Sequence, residues 1–267
     1  MIEIVTVAGA LYLAAVAALF WLQDGMLFPT NATPPPERPL PAASERWVLD
    51  VEGDTRLHGI VIPGADAGGP VVLGFPGNAW NAQDFAVFLH ERLPAATIVA
   101  FHYRGYPPSE GRPSERALTG DARRLAGAVR ARWPGRAIVP VGVSIGSGVA
   151  AAIADAPGVA GAVLVSPFDS IRALAQRRYW WVPVGPLLRH PFDSAARLAD
   201  VERPIAVLAA GRDALVPPAR TEALVAAVPC VVSHRVFAEA DHVGLYDEPG
   251  FGAALRAAVA AVAGERC

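Results

Sequence analysis

A serine between two glycines is the residue whose neighbours point most directly to chemistry. It is Ser144, in the G-V-S-I-G sequence of residues 142–146. The apolar residues 136–141 before it have strand character, and the small residues 147–154 after it are compatible with a helix. G-x-S-x-G between a strand and a helix is the nucleophile elbow, a tight turn that raises the serine hydroxyl above a sheet. The pentapeptide alone is common, so the prediction that Ser144 is a nucleophile depends on these flanking elements.

A serine hydroxyl needs a base to remove its proton, and a third group to orient that base. We predict His242 as the base, because it follows the last predicted strand, residues 231–237, in a loop that can reach the serine. We predict Asp213 as the orienting acid, because it stands just after the predicted strand 205–210. The remaining histidines are interpreted as structural or solvent-facing: His58, His90, His102, His190 and His234.

The order of these three residues along the chain is itself informative. Ser144, Asp213 and His242 follow the serine–acid–histidine order that accompanies the nucleophile elbow, which differs from the order in the other serine-protease scaffolds. Asp169 and Asp241 compete for the role of the acid. Asp241 is adjacent to His242 in the sequence, too close to hold its far ring nitrogen comfortably.

Acyl transfer also needs donors for the oxyanion that forms at the carbonyl. One is the backbone N–H of the residue after the nucleophile, here Ile145. The second comes from the loop after the third strand, and residues 75–81 follow the predicted strand 71–75. Within that loop we choose the N–H of Asn78.

The elements that must position these groups alternate between strand and helix. Residues 46–51 and 57–62 are predicted to form a hairpin around residues 52–54, and further strands are predicted at 97–103 and 160–165. Helices are predicted at 83–93, from the cap Ser114 to about residue 133, at 218–227 and at 251–263. This alternation predicts an α/β fold with a mostly parallel sheet and helices on both faces. Residues 166–200 interrupt the pattern.

Composition excludes several kinds of function. The formal net charge of −2 gives no indication of a nucleic-acid partner. The sequence has no lysine, which excludes Schiff-base chemistry on a lysine. Cys230 and Cys267 are not expected to form a disulfide framework or a metal site, and we expect no cofactor.

The first residues differ in composition from the rest. Residues 4–22 are uncharged and apolar, and as a helix they would be about 28 Å long, close to the thickness of a bilayer core. We therefore predict a single-pass membrane anchor at 1–24, a proline-rich linker at 25–45 that holds it away from the domain, and one catalytic domain at 46–267. A signal peptide and a buried core helix are the alternatives. The side of the membrane stays open, although Arg38 and Arg46 favour a cytoplasmic domain.

Two longer motifs carry a resemblance to a known family. Residues 76–81 read P-G-N-A-W-N, and residues 102–115 read H-Y-R-G-Y-P-P-S-E-G-R-P-S-E. From about Trp47 onwards the chain resembles the α/β-hydrolase superfamily, and in particular its membrane-anchored serine hydrolases with H-G-N-A-G-N and D-Y-R-G-Y-G motifs. The resemblance implies a Ser144–His242–Asp213 triad acting on acyl esters or thioesters, including lipid-like substrates, without a cofactor. Pro76 and Trp80 replace the histidine and the second glycine of the family's first motif.

The resemblance also implies a role for the segment that interrupts the strand–helix pattern, called the interruption below. Residues of about 167–200 are predicted to form a small lid, whose basic and aromatic run 177–183 would face a membrane or pack on the domain. The predicted function is that of a serine hydrolase working through an acyl-enzyme. A peptidase of the same fold and a catalytically silent, membrane-anchored binding protein remain the alternatives.

Overall fold

A computed structural model describes residues 1–52, 55–265 and 267. Its centre is a mixed sheet in which the strands stand in the order β1-β2-β4-β3-β5-β6-β7-β8. The β1/β2 and β2/β4 pairs are antiparallel, and the other pairs are parallel. In chain order the strands are β1 Glu45–Val51, β2 Thr55–Ile62, β3 Val71–Phe75, β4 Thr97–Phe101, β5 Ile138–Val143, β6 Ala162–Val165, β7 Ile205–Ala210 and β8 Val231–Phe237. The predicted α/β fold is confirmed.

Helices cover both faces of this sheet. One face packs against α2 and α9, and the other against α3, α4 and α8. In chain order the helices are α1 Ile2–Leu27, α2 Ala82–Arg92, α3 Glu115–Arg132, α4 Ile145–Ala151, α5 Ile171–Arg178, α6 Val184–Leu187, α7 Ser194–Leu198, α8 Pro218–Ala227 and α9 Phe251–Gly264. The strands in the middle of the sheet are buried throughout, as expected for strands covered on both sides.

Most predicted elements form within a few residues of their expected bounds. Ser114 caps α3 as predicted, and its hydroxyl accepts the Ala117 N–H. β4 ends at Phe101, two residues early, because His102 begins the turn-rich second motif. The predicted hairpin connects β1 to β2, but Gly53 and Asp54 of its turn lie outside the described residues. The interruption at 167–200 contains the short helices α5, α6 and α7.

The proline-rich segment lies on the domain, so the prediction that it holds the first helix away from the domain is wrong. The buried ring of Phe28 packs against the rings of His190 and Phe192. Further along, the Asp84 carboxylate on α2 accepts the Glu37 N–H. Prolines lack an N–H, but the residues between them keep theirs, and those of Glu37 and Arg38 pair with the Asp84 carboxylate.

The first helix continues to Leu27, three residues beyond the predicted anchor. It is 26 residues long, its most apolar 18-residue window has a mean hydropathy of 2.2, and none of that window is buried. These values are sufficient for a membrane span by length and composition. The last turn contacts the interruption, since Asp24 pairs with both Arg189 and His190.

The two cysteines form a disulfide, which corrects the expectation drawn from the sequence. Cys230 and Cys267 have Cα atoms 5.9 Å apart. Cys230 immediately precedes β8, and α9 packs along β7 and β8, which brings Cys267 to the start of β8. The spacing of 37 residues carries no sign of this proximity, because it is produced by the packing of α9 on the sheet.

Candidate active site

The backbone around Ser144 has the geometry of a nucleophile elbow. Ser144 joins β5 to α4 with φ of 52°, in the left-handed region that few non-glycine residues adopt. A Cβ on Gly142 would lie 2.2 Å from the Gly146 carbonyl oxygen, and one on Gly146 would lie 2.2 Å from that of Phe75. Both glycines are therefore required by the close approach of backbone on either side of the serine.

The three predicted catalytic side chains converge. His242 Nε2 lies 3.1 Å from Ser144 Oγ, and His242 Nδ1 lies 2.6 Å from Asp213 Oδ2. The other carboxylate oxygen of Asp213 accepts the N–H groups of Leu215 and Val216 at 2.9 and 2.7 Å. The carboxylate is thus buried but fully bonded, and it presents one oxygen to the imidazole.

Backbone bonds hold the acid loop and the histidine loop together. Gly211 and Arg212 follow β7 and donate their N–H groups to the carbonyls of Phe237 and Ala240. The loops at the carboxyl ends of β7 and β8 are therefore one bonded unit, with Asp213 on one side and His242 on the other. The sequence analysis predicted that these two residues follow these two strands.

The rival acids have other partners. Asp169 pairs with Arg220 on α8. Asp241 accepts the N–H groups of Val243 and Gly244, and so caps the turn after it. Among the other histidines, burial next to His58 and Arg46 lowers the pKa of His102 to about 4, so this ring is neutral at pH 7.

The predicted oxyanion loop lies against the elbow. Ile145 is the first residue of α4, where backbone N–H groups lack an intrahelical acceptor. A Cβ on Gly77, next to Asn78, would lie 3.8 Å from the Cβ of Ser144. Asn78, Ser144 and Ile145 line one cavity of about 790 Å³. Both residues of the predicted oxyanion hole therefore lie beside Ser144.

Two tyrosines of the second motif hold that loop, a role that sequence reasoning missed. The Tyr103 hydroxyl donates to the Pro76 carbonyl at 2.8 Å, and the Tyr106 hydroxyl donates to the Asn78 side-chain oxygen at 3.0 Å. Burial raises the pKa of both phenols, so they remain protonated donors. The spacing of the tyrosines gives no signal of this, since the contacts join the segment after β4 to the loop after β3.

The rest of the second motif serves the fold. Arg104 forms two hydrogen bonds to the buried Asp121 of α3, at 2.9 and 2.7 Å. Ser109 accepts the His58 N–H and donates to the His102 carbonyl. Trp80, which replaces the second glycine of the family's first motif, packs in an aromatic cluster with Phe85, Phe88 and Tyr246.

Comparison with known proteins identifies relatives by sequence and by fold. No family model matches the chain. The uncharacterised protein Rv2307c of Mycobacterium tuberculosis (strain ATCC 25618 / H37Rv) is 35% identical over 227 residues, which are 82% of this chain and 80% of that protein. Esterase Pf2001 of Pyrococcus furiosus superposes with a TM-score of 0.64 at 16% identity, over 85% of this chain and 95% of the esterase. This chain therefore belongs to the same family as Rv2307c, and it has the α/β-hydrolase fold of the esterase.

A further relative of this chain carries a specific name. The lysophosphatidylserine lipase ABHD12 of Rattus norvegicus is 30% identical over 170 residues. The matched region is 55% of this chain but only 42% of the lipase. The similarity therefore concerns less than half of the lipase.

Proposed function

We propose that this α/β-hydrolase is a serine hydrolase that cleaves an acyl ester or thioester and is tethered to a membrane through α1. One observation carries the proposal. Hydrogen-bond distances connect Asp213 to His242 and His242 to Ser144, and this relay ends at a cavity. A base in contact with the nucleophile, and itself oriented by a buried acid, is the arrangement that activates a serine.

The reaction proceeds in two stages, acylation of Ser144 and hydrolysis of the acyl-enzyme. Ser144 Oγ attacks the acyl carbonyl while His242 Nε2 takes its proton, and the N–H groups of Ile145 and Asn78 bind the oxyanion. His242 then gives the proton to the departing alcohol or thiol, which leaves the acyl group on Ser144. Water, deprotonated by His242, hydrolyses that ester and regenerates the serine. Asp213 holds the imidazole in the required tautomer and stabilises its protonated form.

The relatives support the ester and lipid-like side of this proposal. An esterase shares the fold, and a lipase named for a lysophospholipid shares part of the sequence. The alternatives are a peptidase of this fold and a silent binding protein. Labelling of the purified full chain by a fluorophosphonate probe, together with turnover of p-nitrophenyl esters, tests the proposal. Cleavage of peptide amides but not of esters would indicate the peptidase, and absence of labelling would indicate the binding protein.

We expect Tyr106→Phe to lower kcat by up to about tenfold with little change in KM. The substitution removes the hydrogen bond that holds the Asn78 side chain, and a buried hydrogen bond contributes about 1 kcal/mol. Steady-state kinetics on a short-chain ester measure the effect, and a thermal melt shows whether the fold is retained.

The control is a double-mutant cycle with Asn78→Ala, which removes the same bond from its other end but keeps the backbone N–H. If the bond positions the loop, the double variant loses no more activity than either single variant. Additive losses would show that the tyrosine acts independently of Asn78.

The membrane tether is proposed from α1, with an anchor at 1–24, a linker at 25–45 and a catalytic domain at 46–267. The helix is apolar around its circumference and exposes its large side chains, including Ile4 and Leu11. A protein in water rarely exposes a continuous apolar surface of this length, whereas a lipid bilayer covers it.

The disulfide points to the side of the membrane. Disulfides persist in oxidising compartments and are rare in the cytosol. The Cys230–Cys267 bond therefore favours an extracytoplasmic catalytic domain, against the weak charge signal of Arg38 and Arg46. On intact cells we expect a membrane-impermeant maleimide to label the chain only after reduction.

The matched variant is Cys230→Ser, which leaves Cys267 as a free thiol. This variant is expected to react with the impermeant maleimide on intact cells without reduction. Labelling of either chain only after the membrane is permeabilised would place the domain in the cytoplasm.

A further inference from the structure

An apolar cavity of about 190 Å³ lies between the first helix and the interruption. Val16, Leu19 and Phe20 line it from α1, and Ile171, Val182 and Leu187 line it from the other side. Two of its polar lining residues, Gln23 and His190, are already bonded within the protein. The Gln23 side chain donates to the carbonyls of Phe20 and Leu187, and His190 pairs with Asp24. The chemistry of the cavity therefore suits a hydrocarbon.

This cavity adjoins the one that contains the nucleophile. Met26, Leu27, Ile171 and Ala175 line both cavities. These side chains are the boundary between the two spaces, and Ser144 lies on the far side of it. A chain that begins at a carbonyl next to Ser144 can continue past Met26 and Leu27 into the smaller cavity.

The interruption runs alongside α1 for much of its length. The Tyr12 hydroxyl donates to the Trp181 carbonyl, and the Gln23 side chain donates to that of Leu187. From residue 12 to Leu27 the helix rises about 22 Å. Trp180, next to Trp181, is 81% exposed. If α1 crosses a bilayer, this side of the interruption lies at the depth of the lipid, where acyl chains are.

We propose that the cavity between α1 and the interruption binds the distal part of a long acyl chain whose carbonyl is attacked at Ser144. This proposal rests on the proposed function and adds the substrate class, a long-chain acyl ester that enters from the bilayer. An apolar cavity of about 150 Å³ holds a benzene-sized molecule, so this one accommodates on the order of six to eight carbons. Its volume of about 190 Å³ is too small for a helix, which is about 10 Å across. The anchor helix is then a wall of the substrate site and contributes to chain-length selection.

Two tryptophan substitutions on α1 test the proposal in the full chain in lipid nanodiscs. Leu19 lines the cavity, whereas Leu22 does not line it and is 61% exposed. We expect Leu19→Trp to lower kcat/KM for p-nitrophenyl palmitate by about tenfold or more, because the larger ring fills the cavity. Hydrolysis of p-nitrophenyl butyrate is expected to change by less than about twofold, because its chain is too short to reach the cavity. Leu22→Trp is expected to leave both substrates unchanged.

Several outcomes would overturn the proposal while the proposed function stands. In the first, the unmodified chain hydrolyses the butyrate ester but not the palmitate ester. In the second, Leu19→Trp does not change the rate on palmitate. In the third, Leu19→Trp and Leu22→Trp lower that rate equally. A binding measurement separates the two hypotheses if no ester is hydrolysed. Palmitate carrying a terminal diazirine is photo-crosslinked to the Ser144→Ala chain. Adducts on residues 16–27 or 171–188 support the cavity assignment, and adducts only elsewhere overturn it.

Discussion

Ser144→Ala is expected to abolish fluorophosphonate labelling and to reduce ester turnover by about 10⁶, as removal of a serine nucleophile does in related chemistry. The hydroxyl removed is the one that lies 3.1 Å from the imidazole of His242. Alanine fits the same space, and the bond from the Ser144 N–H to the Val165 carbonyl is made by the backbone. Thermal unfolding is therefore expected to be close to that of the unmodified chain.

Ser147 provides a matched control three residues away. It is also buried on α4, and its hydroxyl donates to the Ser144 carbonyl, so it has no access to the imidazole. Ser147→Ala should still be labelled by the probe. Labelling that survives in Ser144→Ala would mean that another serine is the nucleophile, and peptide mapping of the adduct would identify it.

The positions of Ser144, Asp213 and His242 at one edge of the sheet were predictable from the sequence, because each residue follows a predicted strand. Once strands and helices alternate, the carboxyl ends of the parallel strands share one edge of the sheet. Ser144, Asp213 and His242 each follow a strand, so their convergence needs only the correct strand order. The acids Asp169 and Asp241 also follow strands; adjacency to His242 counts against Asp241, but local sequence does not distinguish Asp169 from Asp213. Their partners in the fold do so.

The contacts that the sequence did not reveal all join segments far apart in the chain. The Tyr106–Asn78 bond, the Cys230–Cys267 bond and the packing of α1 on the interruption are of this kind. Hydropathy identifies residues 4–22 as a helix suited to lipid, but it carries no information about what lies beside that helix. The proline-rich linker was interpreted as a spacer because its composition disfavours regular structure. Hydrogen bonds to α2 decide its actual position.

These contacts change how the first helix is understood. A tether alone would need only length and hydropathy, and any apolar sequence would serve. Here one face of α1 bears Leu19, Gln23 and Leu27, which contact the interruption or line its cavities, while Leu22 and Trp21 are exposed. Since Met26 and Leu27 also line the cavity at Ser144, removal of the helix would open the site as well as release the domain. A soluble truncation is therefore a poor substitute for the full chain in substrate profiling.

Asp213→Asn should lower kcat by about 10⁴ while leaving the fold intact, the loss seen for the equivalent change in a serine protease. The two N–H donors at Asp213 Oδ1 are backbone groups of Leu215 and Val216. Because they can only donate, the atom at that position must be a hydrogen-bond acceptor. An asparagine there must keep its carbonyl oxygen on these donors and turn its NH₂ towards His242 Nδ1. That nitrogen must then be an acceptor, which moves the ring proton to Nε2, the atom that has to take the proton of Ser144.

Asp169→Asn is the matched control, because Asp169 is the rival acid and pairs with Arg220 instead of a histidine. We expect it to retain most activity. Kinetics on a short-chain ester, with thermal melts of both variants, make the comparison. If Asp213→Asn keeps most of its activity and Asp169→Asn loses it, the acid has been wrongly assigned. If both variants melt early, the loss reflects folding, and the rate per folded molecule, with the folded fraction taken from circular dichroism at the assay temperature, decides between them. The tautomer argument requires a large loss per folded molecule in Asp213→Asn alone.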